Sequence, residues 1–191
     1  MDRVITKCQS IPLDYSDIQA ICQGDVHLEE YFDLKDCNDI MDLFKKSNVC
    51  ILFYSVSDQN TGHYSTLILH RDTNTLEHFD SYGFGIQEVL KRSTFDFKRS
   101  GGLNFAMRLI TKAIAQYGIR FQENKICFQK DTIPSGHGVS TCGIYGSLRA
   151  RFENLSLVQF QNLLTDQRMS ADQLVTYMTI LFTENKQMLD R

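Results

Sequence analysis

The stretch VCILFYSVSDQNTGHYSTLILHRDTNTLEHFD, residues 49–80, decides the fold. Its opening, Val49 to Val56, is a continuous apolar run, the pattern of a strand buried on both faces. The polar turn Asp58-Gln59-Asn60-Thr61-Gly62 follows, and His63 to His70 reads as the next strand. Arg71-Asp72-Thr73-Asn74 supplies a second turn, and Thr75 to Asp80 a third strand. Short strands with tight polar connections make a meander.

Outward from the meander the period changes to that of helices. Ser16-Asp17 can cap a short helix carrying Ile18, Ile21 and Cys22, which Gly24 would end. Asp36 to Lys46 places Cys37, Ile40, Met41 and Phe44 on one helical face. Residues 1–15 are weakly patterned, and the linker from Gly83 to Gly102 shows little periodicity. Asn104 to Tyr117 is the clearest helix, closed by Gly118. Asn124 to Gln129 is a strand candidate, and Lys130 to Thr141, with Pro134, Gly136 and Gly138, reads as a loop. Helices are expected from Cys142 to about Glu153, Leu157 to Leu164 and Ser170 to about Phe182, the last opening on an S-x-x-Q capping box. The sum is an α+β fold: a small mixed or antiparallel sheet packed between N-terminal and C-terminal helices, in one domain over residues 1–191.

Composition narrows the function. A net charge of −3 supplies no broad basic field for nucleic acid or an anionic membrane, and Lys91-Arg92 and Lys98-Arg99 read as solvated surface. No run is apolar for long enough to span a bilayer, and Met1-Asp2-Arg3 does not open a signal peptide. The six cysteines are scattered without a C-x-x-C pair, so free thiols in a reducing compartment are expected.

One thiol stands apart. Cys142 lies in Ser140-Thr141-Cys142-Gly143-Ile144-Tyr145, at the start of an expected helix. Unpaired N–H groups there favour the thiolate, and a nearby imidazolium favours it further. His63 begins one strand and Asp80 ends the next, which puts both at the same end of a hairpin. A carboxylate there can fix the tautomer and orientation of the imidazole. Gly143 would let a substrate carbonyl approach the backbone, with the Cys142 amide aimed at the oxyanion. The order His63, Asp80, Cys142 is not that of the papain type, whose cysteine comes first.

Two readings from other classes compete. His63, His78, Cys127, His137 and Cys142 could form a metal site, although paired ligand spacing is missing. A non-catalytic binding module would make Cys142 an ordinary buried thiol.

His63-Tyr64, Phe79-Asp80-Ser81-Tyr82-Gly83 and Ser140-Thr141-Cys142-Gly143-Ile144-Tyr145 resemble the three motifs of the adenovirus-protease and ubiquitin-like-protein-protease group of cysteine peptidases. Within it, the chain looks most like the short maturation proteases of virophages (mavirus-type) and Polinton-type viruses. The resemblance implies an adenovirus-protease-like fold and a thiol endopeptidase with a His63, Asp80, Cys142 triad. It implies viral capsid protein precursors as substrates, action in the virion and host-cell cytoplasm, and no cofactor. A monomer with neither membrane attachment nor strong nucleic-acid binding is expected. An isopeptidase for a ubiquitin-like modifier is the alternative on the same triad; an acetyltransferase would need a basic phosphate-binding loop that is not evident.

Two positions depart from the family pattern. Tyr64 stands where relatives carry Trp, and is expected to cover the imidazole. Relatives also carry an oxyanion-hole glutamine about two helical turns before the cysteine. Here the nearest upstream glutamine is Gln129, 13 residues away, and the loop from Lys130 to Thr141 is expected to return it to that point.

Overall fold

A computed structural model describes residues 2–57, 61–131, 138–165 and 168–183. Its centre is a five-stranded mixed sheet in the order β1-β2-β3-β4-β5. These strands are β1 (His27–Glu30), β2 (Val49–Ser55), β3 (Gly62–His70), β4 (Thr75–Phe79) and β5 (Arg120–Glu123). β2, β3 and β4 form the expected antiparallel meander. β1 joins β2, and β5 joins β4, in parallel. Every residue of β2 is buried, as its unbroken apolar run requires.

Eight helices surround the sheet among the described residues: α1 (Asp2–Gln9), α2 (Tyr15–Cys22), α3 (Ile86–Arg92), α4 (Thr94–Arg99), α5 (Phe105–Tyr117), α6 (Cys142–Arg151), α7 (Leu157–Thr165) and α8 (Ala171–Thr183). The α+β expectation holds, and the strand faces show how the layers divide. Ile51, Ile68 and Phe79 pack with Ile18, Ile144, Leu148, Phe160 and Val175, so α2, α6, α7 and α8 share one face. Cys50, Leu52, Leu67 and Leu76 pack with Val89, Leu90, Leu109 and Ile110, placing α3 and α5 on the other.

Several local expectations are corrected. Asp36 to Lys46 is not one helix. A 3₁₀ turn covers Tyr31–Lys35 and a second Ile40–Phe44, the latter capped by Asp39 accepting from the Met41 N–H. Residues 124–130 carry no regular structure, and the strand is the preceding Arg120–Glu123. The Gly83–Gly102 linker contains α3 and α4, whose arginines are engaged locally: Arg92 pairs with Glu88, and Arg99 lies 3.8 Å from the centre of the Phe32 ring. The α2 cap is Asp14, in a capping box with Asp17, and Gln23 takes the left-handed conformation expected of Gly24. The S-x-x-Q box at α8 is present, with the Gln173 N–H on Ser170 Oγ and the Ser170 N–H on Gln173 Oε1. The turn residues Asp58-Gln59-Asn60, and Pro134 and Gly136 of the later loop, lie outside the described residues.

No helix among the described residues is long and apolar enough to cross a membrane. All six cysteines are free, and Cys8, Cys22 and Cys50 are buried as small hydrophobes.

Candidate active site

Because β3 and β4 are antiparallel, the start of one and the exit of the other lie at the same end of the sheet. His63 is the second residue of β3, and Asp80 directly follows β4. The turn after Asp80 closes with the Gly83 N–H on the Asp80 carbonyl and Gly83 at φ 72°, a conformation that a side chain disfavours. This turn supplies N–H groups to the carboxylate: Asp80 Oδ1 accepts from Tyr82 at 2.9 Å and Phe84 at 3.2 Å. Oδ2 is then free to accept from His63 Nε2.

With Nε2 engaged, Nδ1 of His63 is left for the thiol of Cys142, which lines the same cleft. Cys142 opens α6, which is packed on the sheet and anchored where Thr66 Oγ1 donates to the Gly146 carbonyl at 3.2 Å. As the first residue of a helix, Cys142 has an N–H with no acceptor in that helix. The structure therefore brings His63, Asp80 and Cys142 together from three elements.

The electrostatics of the three are coupled. Burial by itself would raise the Cys142 thiol, but the hydrogen bond and charge of His63, with the Tyr64 backbone N–H, hold it below its ordinary value. Burial would lower His63, yet the charge and hydrogen bond of Asp80, reinforced by Cys142, push it up to about 10. Asp80 is fully buried; desolvation works against its charge, and His63 and the Phe84 N–H hold it below the usual carboxylate range. All three shifts favour a thiolate–imidazolium pair beside a carboxylate.

Gln129 belongs to the same cleft, a volume of about 660 Å³ that Cys142, His63, Tyr82 and Leu13 also line. Its side chain is held at both ends: Oε1 accepts from Ser81 Oγ at 2.8 Å, and Nε2 donates to the Val139 carbonyl at 2.6 Å. An amide nitrogen carries two hydrogens, so one remains for a ligand in the cleft. The Phe128 and Gln129 N–H groups also donate to the Ser81 carbonyl, fastening this segment to the Asp80 turn.

Tyr64 does not cover the imidazole. Successive strand residues point to opposite faces, and Tyr64 turns its ring onto Phe53 with centroids 4.9 Å apart. Its hydroxyl donates to the Leu13 carbonyl. Tyr82 takes the covering position instead, its ring 5.4 Å from that of His63. At Gly143, an added Cβ would lie 3.2 Å from Leu13 Cβ, so the missing side chain accommodates the N-terminal segment as well as leaving the cleft open.

Sequence reasoning missed Asn124, which is fully buried and donates to the Asp80 carbonyl at 2.6 Å and the Ile126 carbonyl at 2.9 Å. In the sequence it only opens the strand candidate Asn124 to Gln129, a place too ordinary for an amide to single it out. Among the metal candidates, His78 is buried beside Glu123, and the Cys127 thiol donates to the Gln129 carbonyl. His137 lies outside the described residues, and no group of three or more potential ligands forms among the described ones.

No protein-family model matches this sequence, and no curated protein matches it. Solved structures do. A protease of ASFV is 12% identical, with a TM-score of 0.49 over 90% of this chain and 67% of its own. The SUMO protease Ulp1 is 13% identical, with a TM-score of 0.45 over 95% of this chain and 83% of its own. ChlaDub1 from Chlamydia trachomatis is 12% identical, with a TM-score of 0.40 over 95% and 90%.

Proposed function

We propose that this chain is a cysteine endopeptidase of the adenovirus-protease and ubiquitin-like-protein-protease type. The observation that carries the reading is the orientation of His63: Nε2 is held by Asp80, leaving Nδ1 to the thiol at the start of α6. The thiolate attacks a peptide carbonyl, and the tetrahedral oxyanion is received by the Cys142 N–H and the remaining Gln129 N–H. His63 passes its proton to the leaving amine as the C–N bond breaks, leaving a thioester. It then takes a proton from water, whose oxygen attacks the thioester to release the acid and regenerate the thiol.

Viral capsid protein precursors are the proposed substrates, at the site of particle assembly. That part rests on the likeness of the three sequence motifs to viral maturation proteases. The test incubates wild type and Cys142→Ala with candidate capsid proteins and maps new termini by mass spectrometry. Termini that appear only with wild type are expected; cleavage that survives Cys142→Ala would overturn the mechanism. Cleavage restricted to a conjugated ubiquitin-like modifier would move the substrate assignment to an isopeptidase.

A further inference from the structure

The nucleophile and the oxyanion donor lie on separate segments, and both segments are tied to one side chain on α8. Asp172 is fully buried. Its Oδ1 accepts from Thr141 Oγ1 at 2.6 Å, and Thr141 directly precedes Cys142. Its Oδ2 accepts the N–H groups of Lys130 at 2.8 Å and Asp131 at 2.9 Å, the two residues directly after Gln129. The carboxylate is itself fixed in the first turn of α8, where the Asp172 carbonyl accepts from Thr176 Oγ1 at 2.7 Å. Ser170 adds a bond to the Asp131 carboxylate.

Among the described residues, no Lys, Arg or His forms an ion pair with Asp172. Burying such a carboxylate is costly unless its acceptors are filled. Here three donors offset part of that cost, while burial still holds the Asp172 carboxyl above its ordinary value. A residue serving only to start α8 could face solvent. This one faces inward and spans the gap between the residues directly after Gln129 and the residue directly before Cys142.

We infer that Asp172 is a positioning residue for the proposed peptidase reaction, setting Gln129 and Cys142 at the separation an oxyanion needs. The inference rests on the functional reading above. It assigns Asp172 no contact with substrate; the carboxylate acts through Thr141 and through the backbone after Gln129.

The test uses the full chain and a fluorogenic peptide spanning a cleavage site mapped as above, with kcat expressed per Cys142 thiol counted by alkylation. Asp172→Ala is expected to lose about 10²-fold in kcat, the scale of a misplaced oxyanion donor, with KM within about twofold. Asp172→Asn should recover most of this, because its one carbonyl oxygen can accept both backbone N–H groups. Thr141→Val removes one arm without touching Asp172 and should cost about tenfold in kcat, since a small misplacement at the reacting centre is felt strongly. A purely structural role would lower the folded fraction and leave kcat per counted thiol within about threefold of wild type, which would overturn the inference; so would a loss carried by KM. Should Asp172→Ala fail to fold, Thr141→Val decides by the same criterion. Wild type that alkylates at Cys142 but cleaves nothing would sink the peptidase reading and this inference with it; wild-type cleavage with unchanged variants sinks the inference alone.

Discussion

His63 and Asp80 meet across the open end of the β3–β4 hairpin, where Asp80 gives Oδ2 to the imidazole and Oδ1 to the N–H groups of Tyr82 and Phe84. Each carboxylate oxygen has its own task. One holds the turn that presents Asp80, and the other fixes which nitrogen of His63 faces Cys142.

Asp80 first, and Cys142 after it, raise His63 to about 10 against the pull of burial. Peptidase activity should therefore rise on the acid side as the coupled pair loses its first proton, and fall again near pH 10 as His63 loses its own. In Asp80→Asn, only Cys142 still opposes burial, and the alkaline limb should move down from about pH 10 toward the ordinary histidine value of 6.5. The tautomer is also released, so kcat should drop by up to roughly 10⁴-fold. Profiles of kcat and of Cys142 alkylation rate against pH read both effects. An unmoved alkaline limb would remove Asp80 from the site.

The meeting of His63 and Asp80 was legible in the sequence because it follows from strand order. Two antiparallel strands with a short turn must put His63 and Asp80 at one end, and the helix start at Cys142 is announced by its small polar lead-in. The β2–β4 meander and α5 were legible because each repeats its pattern over many residues. β1 and β5 were not: each is four residues long, His-Leu-Glu-Glu and Arg-Phe-Gln-Glu, too short and too charged at the sheet edges to show a period. Helix α1 packs against α8, a partner at the far end of the sequence. Gln129 was expected at a strand end, but its position comes from Ser81 and Val139. Asp172 sits in a recognisable capping box, yet nothing local reveals that it reaches residues 130 and 141.

Gln129 offers a prediction separable from ionisation. Gln129→Ala should lose about 10²–10³-fold in kcat, the cost of one oxyanion donor. Cys142 alkylation at neutral pH should stay close to wild type, because Gln129 takes no part in holding the thiolate. The variant also leaves Ser81 Oγ and the Val139 carbonyl without their partner, a cost of about 1–3 kcal/mol visible in urea unfolding. Full kcat in Gln129→Ala would take the residue out of the oxyanion site.

Gly62 precedes His63 and admits no side chain. An added Cβ would lie 2.3 Å from the Tyr54 carbonyl oxygen and 2.4 Å from the Phe53 ring, both on the neighbouring strand. Gly62→Ala should destabilise the protein by about 1–3 kcal/mol, as overpacking does. The shifted strand should also carry His63 out of line, lowering kcat more than KM rises. Urea midpoints and steady-state kinetics give the two readouts. Wild-type kcat in a destabilised variant would show that β3 relaxes without moving the imidazole.

The buried pair Arg149–Glu77 makes a prediction about stability whose size depends on pH. Both side chains are fully buried, with Arg149 Nε 2.6 Å from Glu77 Oε1 and Nη2 3.0 Å from Oε2. The guanidinium also donates to the carbonyls of Phe152 and Leu155, closing the end of α6, and Glu77 takes a further bond from His70. Arg149→Ala strands a buried carboxylate and should cost about 3–5 kcal/mol at neutral pH. Although burial opposes its charge, Glu77 is held below its ordinary value by His70 and Arg149. Its wild-type contribution is therefore complete above its unfolded pKa and is lost as pH falls through the lower folded one. In the variant the opposite holds: without Arg149 the buried carboxyl binds a proton more readily when folded, and acid relieves the cost. The stability gap between wild type and Arg149→Ala should accordingly narrow as pH falls below 4.5, the ordinary Glu value. Urea unfolding of both proteins at neutral and acid pH measures it. A gap that stays constant or widens in acid would mean that Glu77 is not ionised in the native protein.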